Sequence, residues 1–513
     1  MQKKQSGNDW GKAVICGNTA WDTINRKHKQ SAETEQQVLL GPHLIRELVD
    51  VRVQHVITGP DACHSVVISE EGQVWVFGRN ERGQLGLGHK NCQDYPININ
   101  TVPENDKLFS GQKIIAAAVG RNHTLLVTDR GEVFAAGDNR LGQLGMSELN
   151  DHLLFERVTS LGKEKIAEVA CGAEFTLARN EEGKLFAFGS QEYGQLGNGT
   201  DGQYIKGSGK LLTQPQPYPL PVKALLQRKI VSIACGTNHS LALDDEGYVY
   251  SWGFGGYGRL GHGEQKDLHI PRVISHFAGP AEITRASAIA CGSTCSLALD
   301  GSRQLLLWGK WKTTGDGSAG QAWMTPRYLY DINGWELSDI SAGNRSLFAL
   351  SETEPTTIAW GQVQNGELGF GEDSPVKSAT KPQKVEPLEG IDMISVSAGL
   401  GHTLFLAKPG SEILQDLPKW PARPEGDDSC VRCHKEDNED RLLLCDKCDA
   451  PMHTYCAIPA LDSIPTGDWY CDTCHPPQKE EPSKKRERAK KTSAAPSKKI
   501  VRTIISVIDS LLV

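Results

Sequence analysis

Eight residues toward the C-terminal end have types and spacing that could hold metal: Cys430, Cys433, Cys445, Cys448, His453, Cys456, Cys471 and Cys474. They form four pairs, each with two residues between its members, and thiolate and imidazole are the donors that Zn2+ takes in tetrahedral sites. Eight donors suffice for two ions, so two Zn2+ are the expected cofactors. Apolar content between the pairs is small, and metal must supply much of the folding energy there. The remaining seven of the 14 cysteines are scattered. Cys16, Cys171, Cys235 and Cys291 each precede a glycine and read as small buried thiols, which fit a reducing compartment.

The donor order is four cysteines, one histidine, then three cysteines, with Trp469 two residues before Cys471 and Asp446 directly after Cys445. This resembles a plant homeodomain (PHD) finger. The resemblance implies cross-brace binding, with Cys430, Cys433, His453 and Cys456 on one ion and Cys445, Cys448, Cys471 and Cys474 on the other. Such sites are closed and structural, so zinc catalysis is not expected. From Asp427 to His475 there are eleven Asp/Glu and four Lys/Arg, net −7. That balance does not suit nucleic acid, which needs cations against phosphate; it suits a basic peptide.

PHD fingers take a histone N-terminal tail as an added strand, and here Leu442, Leu443 and Leu444 would be the receiving edge. The run D-N-E-D-R-L-L-L-C-D-K-C-D resembles fingers that prefer an unmodified tail. By that resemblance Asp446 and Asp449 would grip the tail's arginine. Asp437, Glu439 and Asp440 would meet its unmethylated lysine. Carbonyls near Pro465 and Gly467 would receive the free amino terminus, and Trp469 would pack in the core. No Tyr, Phe or Trp lies between Cys430 and Cys448, so the cage that a trimethyl-lysine reader needs is absent from that run.

The elements before the finger follow a repeat. One phrase is a strand ending in apolar-Gly, at Gly17, Gly78, Gly137, Gly189, Gly253, Gly309 and Gly361. In most copies a Gly-rich turn closing in Leu-Gly follows, as in S-W-G-F-G-G-Y-G-R-L-G-H-G at Ser251–Gly263. The other phrase has its glycine at Gly59, Gly120, Gly172, Gly236, Gly292, Gly343 and Gly399, and then Ser or Thr and alternating leucines. Short β-rich runs between turn residues, about four per period in seven periods, are the arithmetic of a seven-bladed β-propeller. The first phrase opens the series unaccompanied and the second closes it, so the chain ends are expected to complete one shared blade. His64, His123, His239 and His402 recur in one slot and read as structural hydrogen-bond donors. The copy after Gly309 has no Leu-Gly.

These repeats resemble the regulator of chromosome condensation superfamily. The telophase-disk branch is suggested by G-R-N-H-T-L at Gly120–Leu125, C-G-A-E-F at Cys171–Phe175, and the Ser251 phrase with E-Q-K-D at Glu264–Asp267. The expected architecture is thus all-β: an arm at 1–10, a propeller at 11–409, a Pro-rich linker at 410–427, a small cross-brace zinc finger at 428–476, and a basic, largely disordered tail at 477–513. The tail holds ten Lys/Arg against four Asp/Glu, net +6, within a chain of net −8. Lys484–Arg488 with Lys490 and Lys491 suits nuclear import or weak nucleic-acid contact. The apolar residues 500–513 are too few to span a bilayer, and no signal peptide or membrane partner is expected.

No nucleophile–base pair or phosphate loop stands out, so covalent catalysis is not expected. The expectation is a chromatin-associated adaptor, nuclear and also cytoplasmic or on mitotic chromosomes, whose finger binds a histone tail while the propeller docks proteins. The family resemblance supplies the alternative of an exchange factor or regulator for a Ran/Rac-type small GTPase.

Overall fold

The computed structural model describes residues 10–24, 26, 38–207, 209–312, 320–374, 378–422, 429–465 and 467–475. The basic tail, nearly all of the N-terminal arm and positions 423–428 of the linker lie outside these residues. Among the described residues no helix is long and apolar enough to cross a membrane. The chain divides into two compact units, one carrying the propeller and the other most of the finger.

The propeller is seven sheets, antiparallel throughout except for one short parallel strand at the edge of the seventh. Blade 1 runs Val53–Ile57, His64–Ser69, Val74–Gly78 and Gln93–Asn98. Blade 4, which contains the Ser251 phrase, runs Ile230–Cys235, His239–Asp244, Val249–Gly253 and Leu268–Val273. The other blades repeat this order. Burial explains the pattern. In six of the seven blades the second strand, such as His239–Asp244, is buried along its whole length, because it lies between two neighbouring blades; in blade 3 Arg179 alone is half-buried. First strands such as Ile230–Cys235 alternate between buried and half-buried positions. They line a central cavity of about 240 Å3, into which Cys171, Cys235 and Cys291 face from successive blades. Burial pushes these thiols up, Cys171 to about 12, so they are protonated and inert.

Neighbouring blades share their core. One cluster joins Val66 and Val76 of blade 1 to Leu126 and Phe134 of blade 2. Trp252 and Trp308 are fully buried, and their indole N–H groups donate to the carbonyls of Gln195 and Arg259, each in the turn of the preceding blade, at 2.8 Å. The histidine slot does the same work. His64 Nε2 donates to Thr124 Oγ1 at 2.8 Å, and that hydroxyl donates onward to the Gln84 carbonyl at 2.6 Å. His123 and His239 repeat the link through Thr176 and Ser296, and His402 meets Ser65.

Two glycine positions are dictated by this packing. A Cβ on Gly120 would lie 2.1 Å from His123 Cε1, so the histidine ring requires glycine three residues before it. Gly253 has φ +100, and a Cβ there would lie 2.6 Å from the Asn238 carbonyl.

The seventh blade closes the ring from both chain ends, as expected from the phase of the repeats. Met393–Ala398 and His402–Ala407 pair with Lys12–Asn18 and then Val38–Ile45. Val14 opposes Phe405 and Ile15 opposes Leu404. The stretch read as a linker is more ordered than its proline content suggested. Glu412–Asp416 is a short helix, and Lys419–Trp420 adds a parallel strand to Val38–Ile45. Trp420 drives this: it is buried edge-on against Trp21 and near Phe77. A second departure is the hairpin Gln203–Ile205 with Leu211–Thr213, inserted in blade 3 between Leu185–Gly189 and Gln216–Pro221. It carries exposed Tyr204, Ile205 and Leu211, and no repeat signal marked it.

Candidate metal centres and tail-binding edge

The finger is built on loops and one small hairpin. Leu442–Leu444 pairs antiparallel with Pro451–His453, with Leu443 opposite Met452. The hairpin places Cys445 just past one strand and His453 at the end of the other. Leu443 and Met452 are buried and form the apolar floor. The rest of the hold comes from the two donor clusters.

Cys430, Cys433, His453 and Cys456 form one cluster; Cys445, Cys448, Cys471 and Cys474 form the other. Within each, the four donor atoms lie within 4.8 Å of one another. This is the division that the PHD resemblance implied. Local hydrogen bonds prepare each set for a cation. His453 Nε2 donates to the Asp437 carbonyl, which leaves Nδ1 facing Cys433 Sγ at 3.3 Å. A ligating histidine whose other ring nitrogen is fixed in this way is oriented before metal arrives. Tyr455 stacks on the same ring at 4.8 Å. The backbone N–H groups of His453 and Cys471 point at Cys430 Sγ and Cys445 Sγ, at 3.5 and 3.3 Å, where they stabilise thiolate. Sulfur and imidazole donors in fours are a zinc set, and both clusters fit Zn2+.

Of the expected tail-binding residues, Leu442–Leu444 is one strand of this hairpin, and Asp446 and Asp449 lie in the turn between its strands. Leu442–Leu444 belongs to a two-stranded sheet, so among the described residues its other edge has no strand partner. Leu444 is 60% exposed. Asp437 and Asp440 are exposed near that edge in sequence, and Glu439 shares the short 3-10 turn that leads into it. Asp446 and Asp449 are half-buried. The Asp449 carboxylate already pairs with Arg46 and, at 2.7 Å, with Lys419, so a tail arginine would share or displace these cations. Asp449 adopts φ +54. Pro465 is half-buried and Gly467 exposed, on the loop before Asp468. Trp469 is half-buried, less enclosed than a core position.

A seven-bladed propeller with a closing blade from both chain ends, followed by a two-cluster Cys/His finger, defines the class. The family model described as RCC1-like domain matches residues 10–405, and that described as PHD-finger matches residues 430–474. The chain belongs to the RCC1-like family and carries a PHD finger. Among curated relatives it is 38% identical over 432 residues to Protein RCC2 homolog of Danio rerio, covering 81% of this chain and 83% of that one. It is 37% identical over 434 residues to Protein RCC2 of Homo sapiens, covering 80% of each. Among solved structures, Prp20p of Saccharomyces cerevisiae, described together with its binding properties to Gsp1p and histones, superposes with TM-score 0.62 at 22% identity. That match covers 79% of this chain and 93% of Prp20p and shows the shared fold.

Proposed function

We propose that this protein is a chromatin-associated adaptor. Its finger takes the N-terminal tail of a histone as a third strand on Leu442–Leu444, while the propeller docks protein partners. The observation that carries this reading is the edge of a two-stranded sheet that is unpaired among the described residues, in a stretch, Asp427 to His475, of net charge −7. Main-chain pairing would supply affinity and the acids would supply selectivity for a basic peptide. The tail's arginine goes to Asp446 and Asp449, its unmethylated lysine to Asp437, Glu439 and Asp440, and its amino terminus to the carbonyls near Pro465 and Gly467. The absence of Tyr, Phe and Trp between Cys430 and Cys448 favours the unmodified lysine. The basic tail at 477–513 fits nuclear localisation and weak nucleic-acid contact.

Calorimetry with histone-tail peptides tests the reading. The unmodified peptide is expected to bind more tightly than its lysine-trimethylated form. Asp446→Ala with Asp449→Ala is expected to weaken it by about 2 kcal/mol or more. Tighter binding of the trimethylated peptide would overturn the lysine assignment; binding that survives the double variant would overturn the arginine one.

A second reading is regulation of a Ran/Rac-type small GTPase through the propeller. Two things support it: the fold is shared with a protein described as binding Gsp1p, and the blade 3 hairpin presents exposed Tyr204, Ile205 and Leu211. Release of fluorescent nucleotide from a GTPase panel separates the readings, since an adaptor alone gives no acceleration.

A further inference from the structure

The repeat breaks its own rule at Arg259. In the Gly-x-Leu-Gly turn of four blades the residue between the first Gly and Leu folds its side chain back to accept a backbone N–H two residues earlier. Gln84 accepts from Arg82, Gln143 from Leu141 and Gln195 from Tyr193, at 2.8–2.9 Å. Glu367 accepts from Asn365 at 2.8 Å. Blade 4 has Arg259 in this slot, and a guanidinium has no acceptor. Its backbone role is unchanged, since the Arg259 carbonyl still receives Ser296 and Trp308. Its side chain has been released for something else.

That side chain lies in an unusual place. Arg259 is 3% exposed, with Nε donating to the Gly256 carbonyl and Nη1 to the Ser293 carbonyl, both at 2.9 Å. Among the described residues Nη2 has no hydrogen-bond partner, and no carboxylate comes within 4.0 Å of the guanidinium. Asp61 and Asp267 act on it only from farther away. Burial without a close counter-ion brings Arg259 down to about 10. Its guanidinium lies over Phe254 at 4.7 Å and Tyr257 at 5.6 Å. Lys310 Nζ lies over the same Tyr257 ring at 4.8 Å.

Tyr257 itself is held out of the ordinary. It adopts φ +62, costly for a bulky residue, and is 43% exposed. The equivalent residues Arg82, Leu141, Tyr193 and Asn365 do not share this conformation. With no Gln below it, the Tyr257 N–H donates outward to Gln265 Oε1 at 3.0 Å. Blade 4 therefore presents one exposed aromatic ring with two cations over it, buried Arg259 from the same turn and half-buried Lys310 from the next blade.

We propose that Arg259, Tyr257 and Lys310 form a receiving site on the propeller for a carboxylate-bearing segment of a partner protein. The proposal deepens the reading of the propeller as a docking platform and rests on it. Among the described residues neither cation has a carboxylate within 4.0 Å, and an Asp or Glu side chain of the partner supplies the missing counter-ion while the ring packs against the partner's backbone. A carboxylate also suits the unfilled Nη2 donor. Asp61 and Asp267 act on Arg259 from farther off, and Asp61 also lies 3.9 Å from Arg121. Fixed acids there weigh more heavily against a phosphate backbone, which brings a charge at every step, than against a single carboxylate.

The test uses the full chain and a fluorescein-labelled Glu/Gly decapeptide, read by anisotropy at low salt, with an unlabelled dT10 oligonucleotide as competitor. Arg259→Gln restores the residue that three sister blades carry, so the turn retains a side chain it accommodates elsewhere. Arg259→Gln is expected to weaken peptide binding at least about fivefold, and Lys310→Gln to weaken it in the same direction. Arg272→Gln, on an outer strand of the same blade, is expected to change nothing. Absence of binding by the unsubstituted chain, or equal binding by Arg259→Gln and Lys310→Gln, overturns the proposal, the latter by placing the peptide on other cations such as the basic tail. More effective competition by dT10 than by unlabelled peptide, lost in Arg259→Gln, overturns it in favour of nucleic acid. None of these outcomes bears on the finger, whose histone calorimetry stands separately.

Discussion

A histidine in the repeat slot is neutral because it has no room to be anything else. Burial, the largest cause in each case, brings His64 and His402 down to about 3 and His123 to about 4, and holds His239 well below the ordinary range. An unfolded histidine titrates near 6.5, so below that pH the unfolded chain takes up protons that the folded chain refuses. The stabilisation is fully present above about pH 6.5 and is lost as pH falls toward 4 and 3. Asp61, Glu168 and Glu367, raised by burial, pull the other way, so the comparison must be made between variants. His239→Asn is expected to cost about 1–3 kcal/mol at pH 7 through the lost bond to Ser296. It is also expected to flatten the fall of the thermal midpoint between pH 6.5 and 4, measured by calorimetry. The slot was legible in the sequence, because four histidines at one repeat position call for one structural role. Arg259 was not. Its identity was on the page, but its meaning depends on the self-capping of its sister glutamines, a contact that only coordinates reveal.

The finger is the element whose stability comes from outside the polypeptide. It has one three-residue strand pair and few buried apolar side chains, Leu443, Met452 and Ala457 among them. Structural zinc contributes on the order of 10 kcal/mol or more per site. Removing the metal with a strong chelator is therefore expected to unfold residues 430–474 while the blades keep their strands. Hydrogen exchange would show this as loss of protection at Leu442–Leu444 and Pro451–His453 with protection at His239–Asp244 unchanged. Spacing alone made the eight donors readable, because a Cys-x-x-Cys pair has few other uses in such density. The hairpin of blade 3 shows the opposite case. Its short strands sit inside a repeat and carry no phrase of it, so periodicity passes over them.

At the scale of the whole molecule the ring is closed by non-local pairing. Lys12–Asn18 lies between His402–Ala407 and Val38–Ile45 and contributes Val14 and Ile15, both fully buried. Deleting residues 10–18 removes an internal strand and exposes both neighbours along their length. The expected result is a fall in the thermal midpoint of about 10 °C or more with loss of a single cooperative transition. Limited proteolysis is expected to cut first within 393–407. A midpoint within a few degrees of the intact chain would show that the other six blades do not depend on closure.

The sequence by itself determined the repeat number, the closure and the zinc donors, because each is a matter of residue type at regular spacing. Glycines that admit a ring or a positive φ, histidines in one slot and cysteines in pairs are local demands that the chain states outright. Tertiary structure decided what the spacing could not: Trp420 extends the seventh blade into the presumed linker, Tyr257 and Arg259 leave their repeat's rule together, and Trp469 is only half enclosed. Each of these depends on what another part of the chain places beside the residue, and that neighbour is fixed only when the ring and the finger have formed.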